Sequence, residues 1–389
     1  MANTFLLEIG TEELPADFVR SALQQLERRV RTDLKELRLD HGQLSVTGTP
    51  RRLLVQISDL IDSQPDLEED RKGPPVSQAL VDGQPGPAAI GFAKRCGVDP
   101  SQLESRETPK GPCLFASVCT PGQESSVLLQ DFIPQWIDCL QGRRFMRWGS
   151  GEQRFSRPVR WLVALLGETL IPVTLNASDP LVRSGRQSRG HRLHDPLAEL
   201  KSADELPARL AEAGVMVDRD QRAETIRSSI AAEAASCGGE ADCPESLFQE
   251  LVDLVEAPVV LKGEIADQYL DLPPEVIVTV MQSHQRYVPL RQPNATADPL
   301  QLEARNVLRS DFLLVGNGLP DASDTIVSGN QRVLSARLAD AEFFLNVDRR
   351  QPSEQRRQEL DRVTFAEGLG SLLDRTERIS WVMDQLVQA

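Results

Sequence analysis

Residues 143–167 read RRFMRWGSGEQRFSRPVRWLVALLG, and the rest of the chain is read outward from them. Six arginines (143, 144, 147, 154, 157 and 160) face one acid, Glu152, in a chain of formal net charge −15. The segment then runs directly into the apolar residues Trp161–Leu166, a strand by length and composition. Guanidinium groups beside Phe145, Trp148, Phe155 and Trp161 can pair with phosphates in a fork geometry and stack on rings or bases. The alternative is a buried strand with a solvated basic approach.

Before this segment, Thr4–Ile9 reads as a short apolar strand. Thr11 is the expected cap of a following helix, with Glu12 and Glu13 in its first turn. Val19, Leu23, Leu26, Val30, Leu34 and Leu37 recur at helical spacing, and Leu44–Thr47 and Arg52–Ile57 form two strands around the turn Gly48-Thr49-Pro50. The result is a β-α-β-β unit. Residues 62–86 carry an acidic run and then Gly73-Pro74-Pro75, a composition that discourages regular structure. A short helix near Ala88–Cys96, a strand at Leu114–Cys119 and a helix over Ser125–Leu140 lead back to the arginines.

After Gly167 a further strand, Leu170–Leu175, makes a hairpin with Trp161–Leu166. It leads to a second basic segment, Arg183–Arg192, with no acid between Asp179 and Asp195. Small residues between its charges allow close approach of a polyanion, although a surface loop has the same composition. Asp195 reads as a helix cap before Pro196. His194-Asp195 has no metal-site meaning without further ligands nearby. Helices are expected over Asp195–Ala213 and Arg219–Ala235, with a strand at Val215–Val217 between them.

Ser228–Leu261 holds seven acids and no Lys or Arg. It reads as a solvated helix face or as a docking surface for a basic partner. Val259–Lys262 and Asp311–Val315 are strands. Pro273-Pro274 opens a helix that places His284 near its apolar face. Helices over Thr325–Val347, Ser353–Thr364 and Ser371–Val387 close the sequence, with Arg337 and Asp340 spaced to pair across one turn. The last helix has no stop signal, which suggests a chain cut within a larger protein.

The fold class expected is mixed α+β: several small α/β modules with a predominantly helical C-terminal segment. Loop composition divides it at 1–62, 63–200, 201–320 and 321–389. A pI near 4.9 argues against a general coat for nucleic acid or membrane but leaves room for a local basic site. No signal peptide or membrane-spanning run is read, so a cytoplasmic chain is expected. The six cysteines lack metal or framework spacing, and no phosphate-cradling loop, dinucleotide fingerprint, HExxH or GxSxG is present. No catalytic or metal site is therefore assigned.

The blocks FLLEIGTEELPADF, TGTPRRLLV, RRFMRWGSGEQRFSRPVRWLVALLG, GHRLHDP, ELVDLVEAPVVLKGEI, LPPEVIVTVMQSHQRYVPL, FLLVGNG, SGNQRVLSARLADAEFFLNVDRR and LGSLLDR follow one another in this order. Together they resemble the beta subunit of the bacterial heterotetrameric glycyl-tRNA synthetase, from Phe5 to about Arg378. Where that family tends to show an aromatic after Tyr287, this chain has Val288, which argues against a catalytic role there.

The resemblance implies that glycine and ATP bind a separate alpha subunit, so this chain holds no cofactor and ATP is used by the holoenzyme. It implies tRNA(Gly) and the alpha subunit as partners, and no membrane. It also implies an HD-like domain and an anticodon-binding helical domain beyond residue 389. Arg143, Arg144, Arg147, Arg157, Arg160, Arg186, Arg189, His191 and Arg192 are the expected RNA contacts. Arg157 and Arg160 could equally brace a domain or subunit interface. Two competing readings are a tRNA deacylase, for which only His191 and His284 offer themselves, and a pure scaffold.

Overall fold

The computed structural model describes residues 2–81, 84–109, 111–176, 179–193, 196–293, 295, 303–318 and 320–388. It is mixed α+β and divides into two compact units. The first is Met1–Thr225 with Gln249–Pro258, and the second is Ile226–Phe248 with Val259–Ala389.

The first unit is built on a seven-stranded sheet. Its main path runs Thr174–Asn176, Val182–Gly185, Val159–Leu166, Ala2–Thr11, Arg52–Ile61, Leu44–Thr49, with Thr169–Leu170 added on Val159–Leu166. Neighbours are antiparallel except Val182–Gly185, which runs parallel to Val159–Leu166. The predicted hairpin is shorter than its sequence suggests: only Thr169–Leu170 folds back onto Leu165–Leu166, and Thr174–Asn176 pairs with Val182–Gly185 instead.

Alternation along Ala2–Thr11 explains the two cores. Phe5, Leu7 and Ile9 face the helix Ala16–Glu36, packing with Val19, Leu26, Val30 and Leu34 and with Leu129, Ile133 and Trp136 of the helix Ser125–Asp138. Leu6 turns to the other face, with Leu54, Val163 and Leu165, against Leu206, Leu210, Val215 and Val217. Each fully buried aliphatic chain stabilises by about 1.5–3 kcal/mol. The Trp136 indole N–H donates to Asp33 at 2.8 Å, giving that buried donor its partner.

Several expectations change here. Thr11 ends the strand rather than capping the helix, which starts after Pro15. The N–H groups of Thr11, Glu12 and Leu14 are taken by the carbonyls of Arg51, Pro158 and Pro50, which hold this segment off the helix. Leu67–Pro75, expected to be a loop, is a strand paired from Leu67↔Thr120 to Pro75↔Cys113 with the strand Cys113–Thr120. Its hydrogen bonds come from a partner roughly 40–50 residues on. Together with Glu104–Arg106 and the helix Pro87–Cys96 it makes a small module around Ala79, Ala89, Phe92, Leu114 and Ala116.

Pro196–Glu199 is a strand against Gln187–Arg189, not a helix, and the helix begins at Leu206. His194 and Asp195 lie outside the described residues. Val215 and Val217 are buried, but the segment is not a strand. The acidic segment is not simply a solvated or docking face, because Asp253 and Glu256 are fully buried counterions. Asp253 holds Arg219 at 2.8 Å and Arg20 at 3.3 Å. Beside them the Arg222 guanidinium, its pKa drawn down to about 10 by burial, donates to the carbonyls of Gly48, Met216 and Val252.

The second unit has a four-stranded sheet, Glu240–Ala241, Val288–Arg291, Leu308–Asn317, Pro258–Glu264. Its core gathers Ile277, Met281, Phe312, Leu314, Leu334 and Leu338. Tyr287 stacks on Phe312 with centroids 5.0 Å apart and donates to Asn330 at 2.6 Å. The helix Pro274–Thr279 widens into a π-helical turn, Val280–Gln285, closed by Arg286 at φ 59°. That widening buries Met281 and turns His284 out to solvent, not onto the apolar face. The long helix is Ser323–Arg350, on which Arg337 and Asp340 pair at 4.0 Å. Ser353–Glu359 and Leu372–Gln388 follow.

Candidate nucleic-acid interface

In the arginine-rich stretch, Met146–Arg147 and Arg154–Phe155 pair as a small hairpin. Phe145 and Phe155 turn inward onto Phe18, with ring centroids 5.7 and 5.5 Å from it. Trp148, Phe155 and Trp161 are all buried. The aromatics between the arginines are therefore anchors, and their faces are not open to bases. What remains exposed is the charge.

Arg143, Arg144 and Arg157 line one cleft of about 530 Å³, shared with Asp17, Phe18 and Ser21. Arg143 lies 4.0 Å from Asp17 and is 92% exposed, a separation and exposure at which the pairing contributes little. Arg157 donates to the carbonyl of Ser156 at 3.0 Å. Neither Arg144 nor Arg157 forms an ion pair among the described residues. Arg147 sits on the hairpin, held by Glu152 at 3.0 Å.

The other expected contacts are deployed differently. Arg160 meets Glu12 at 3.2 Å, and Arg192 meets Glu13 at 2.8 Å, so the two acids read as helix-start carboxylates are exposed counterions of the basic segments. Arg189 lies over Trp161, 5.0 Å from the ring centroid. Arg186 spends its donors on backbone carbonyls, those of Leu200 and Lys201 at 3.2 and 3.1 Å and that of Glu168. His191 is 1% exposed and accepts the Leu193 N–H at Nδ1, 3.4 Å away, so its imidazole lies inside rather than on the basic surface.

Arg160 and Arg186 line a second cleft of about 400 Å³ together with Arg183. Arg183 was not among the expected contacts. Alternation in Val182–Gly185, with Val182 and Ser184 buried and Arg183 out, is the signal that finds it.

Beneath the basic segments lies a buried ionic group that the residue patterns did not reveal. Arg52 donates to Glu8 at 2.7 Å and to Glu256 at 3.1 Å, with all three side chains fully buried. Ser188 donates to Glu8 at 2.9 Å and Thr49 to Glu256 at 2.6 Å. Burial pushes the Glu8 carboxyl above its ordinary value, against the opposing pull of Arg52 and Ser188. The available signal was Glu8 itself, a carboxylate in an otherwise apolar strand, which demands a buried partner.

The family profile of the glycyl-tRNA synthetase beta subunit matches residues 5–389. The chain belongs to that family. A glycine–tRNA ligase beta subunit from Acaryochloris marina is 43% identical over 388 residues, 98% of this chain and 53% of that protein. One from Synechocystis sp. is 43% identical over 378 residues, 97% of this chain and 51% of that protein. One from Moorella thermoacetica is 37% identical over 389 residues, 100% and 54% respectively. The chain spans about half the length of the curated relatives it matches. Among the described residues of this beta-subunit family member, no group of His, Cys, Asp and Glu is placed to hold a metal ion, and no helix is long and apolar enough to cross a membrane.

Proposed function

We infer that this chain is the tRNA-binding and assembly part of a glycyl-tRNA synthetase. In this reading it supports ATP-dependent attachment of glycine to tRNA(Gly), with the adenylate chemistry on a separate alpha subunit and no ATP held by this chain. The observation that carries the RNA role is the cleft formed by Arg143, Arg144 and Arg157, in which two of the three guanidinium groups have no carboxylate partner among the described residues. Local cation clusters of this kind bind phosphate even in a chain of net negative charge. Membership of the beta-subunit family supports taking tRNA(Gly) and a partner subunit as the ligands in this reading.

The test is a salt titration of tRNA(Gly) binding to the intact chain, with and without Arg143→Ala, Arg144→Ala and Arg157→Ala. Each phosphate contact removed lowers the slope of log K against log salt by about 0.7–0.9. Wild-type slopes in all three variants, with association with the alpha subunit lost instead, would make this cleft a subunit interface.

A further inference from the structure

The small module of the first unit presents a basic groove whose lining shares no residue with either arginine segment. It forms where the strand Leu67–Pro75 meets the helix Pro87–Cys96. Gly73 faces the Phe92 ring so closely that a Cβ there would stand 2.5 Å from it, and this contact brings strand and helix together. The groove, about 960 Å³, is lined by Arg71, Lys72 and Arg95 and, among the described residues, by no acid. It is larger than the cleft at Arg143.

The absence of acid in the lining is notable because Glu68, Glu69 and Asp70 immediately precede Arg71. Of these acids, Asp70 is taken by Arg106 of the strand Glu104–Arg106. Arg71 reaches Glu69 only at 3.5 Å with both side chains half exposed, a weak pairing. Lys72 and Arg95 are exposed and form no ion pair among the described residues. Gly91 also lines the groove, and a Cβ built there meets nothing within 4 Å, so the helix backbone is open at that point. Three cations around exposed backbone, with no buried polar group to fix orientation, suit a chain of phosphates rather than a small organic ligand.

We propose that this groove is a second RNA-backbone contact, acting with the Arg143 cleft on one tRNA. The proposal rests on the RNA reading above, and its test separates the two.

Gly91 gives a probe that leaves packing untouched. Gly91→Glu puts an acid into the groove without steric conflict, Gly91→Ala controls for the helix, and the combined variant Arg71→Ala, Lys72→Ala, Arg95→Ala removes the charge. Binding of tRNA(Gly) to the intact chain is followed across salt concentration, with circular dichroism to verify the fold. The triple variant is expected to lower the salt slope by about 2–3, as the loss of three phosphate pairings requires. Gly91→Glu weakens binding several-fold, and Gly91→Ala binds as wild type. Wild-type binding and slope in both Gly91→Glu and the triple variant, while Arg143→Ala weakens binding, would overturn the groove and leave the first cleft standing. A wild-type chain that does not bind tRNA would overturn both.

Discussion

Gly10 and Trp161 stand opposite one another on adjacent strands, and the indole lies so close over the glycine that a Cβ at position 10 would be 1.8 Å from Cε2. The bare backbone lets the ring settle against the sheet, where Arg51, Arg52 and Arg189 gather around it at 5.8, 5.5 and 5.0 Å from its centroid. One glycine thereby fixes the tryptophan that orients Arg189, an arginine of the second basic segment.

Gly10→Ala is therefore expected to destabilise the first unit by about 1–3 kcal/mol, the usual consequence of forcing a packed ring to move. In a Trp161→Leu background the same substitution should matter much less, because the conflicting ring is gone. Urea unfolding of the four proteins of this cycle measures the coupling. Equal effects of Gly10→Ala in both backgrounds would show that the ring is not what position 10 accommodates.

Glu12 and Glu13 restrain two of the arginines nearest the proposed RNA surface. Glu12→Gln frees Arg160 and Glu13→Gln frees Arg192, with little effect on stability because all four side chains are about half exposed. If the freed arginines reach phosphate, tRNA affinity rises and the salt slope steepens by about 0.7–0.9 for each phosphate newly neutralised. If Arg160 braces a subunit interface, tRNA binding stays constant and association of the subunits weakens. Filter binding and size-exclusion chromatography distinguish these outcomes.

Much of the first unit was legible because its signals are local. Phe5, Leu7 and Ile9 alternate, and Val19 to Leu34 recur at helical spacing, so strand and helix follow directly. The strand Leu67–Pro75 was hidden because its acids, glycine and prolines oppose regular structure and its stabilising partner is remote in sequence. The candidate site was legible as charge but not as geometry. Nothing near Arg186 in sequence shows that its donors end on Glu168, Leu200 and Lys201, and nothing near Arg160 shows that Glu12 waits across the sheet.

Arg186 illustrates the consequence. Its guanidinium joins three backbone carbonyls, of which only that of Leu200 belongs to a buried residue, so Arg186→Ala is expected to destabilise by about 0.5–1.5 kcal/mol. The salt slope of tRNA binding should not change, in contrast to Arg143→Ala. A lowered slope with unchanged urea midpoint would reassign Arg186 from the scaffold to the RNA surface.

Arg52 carries the largest expected effect. It is the fully buried cation between Glu8 and Glu256, and the next positive group, Arg51, lies 3.7 Å from Glu256 with part of its side chain still exposed. Arg52→Met leaves two buried carboxylates with inadequate compensation, a loss of about 3–5 kcal/mol at neutral pH. The pH dependence follows from Glu8. Its pKa in the folded protein lies above the ordinary 4.5 because burial disfavours the charge, so the native state holds the proton more tightly than the unfolded chain. The stability this contributes is complete below the unfolded value and is lost as pH rises through the folded value. Without Arg52, the largest influence lowering that value is removed and the folded pKa climbs further. The deficit of Arg52→Met relative to wild type should therefore shrink as pH falls from 7 toward 5, and Glu8→Gln added to Arg52→Met should recover part of the loss at pH 7. Urea midpoints of the three proteins across that range test the argument, and a deficit that widens on acidification would mean that the Glu8 carboxylate is not the group left uncompensated.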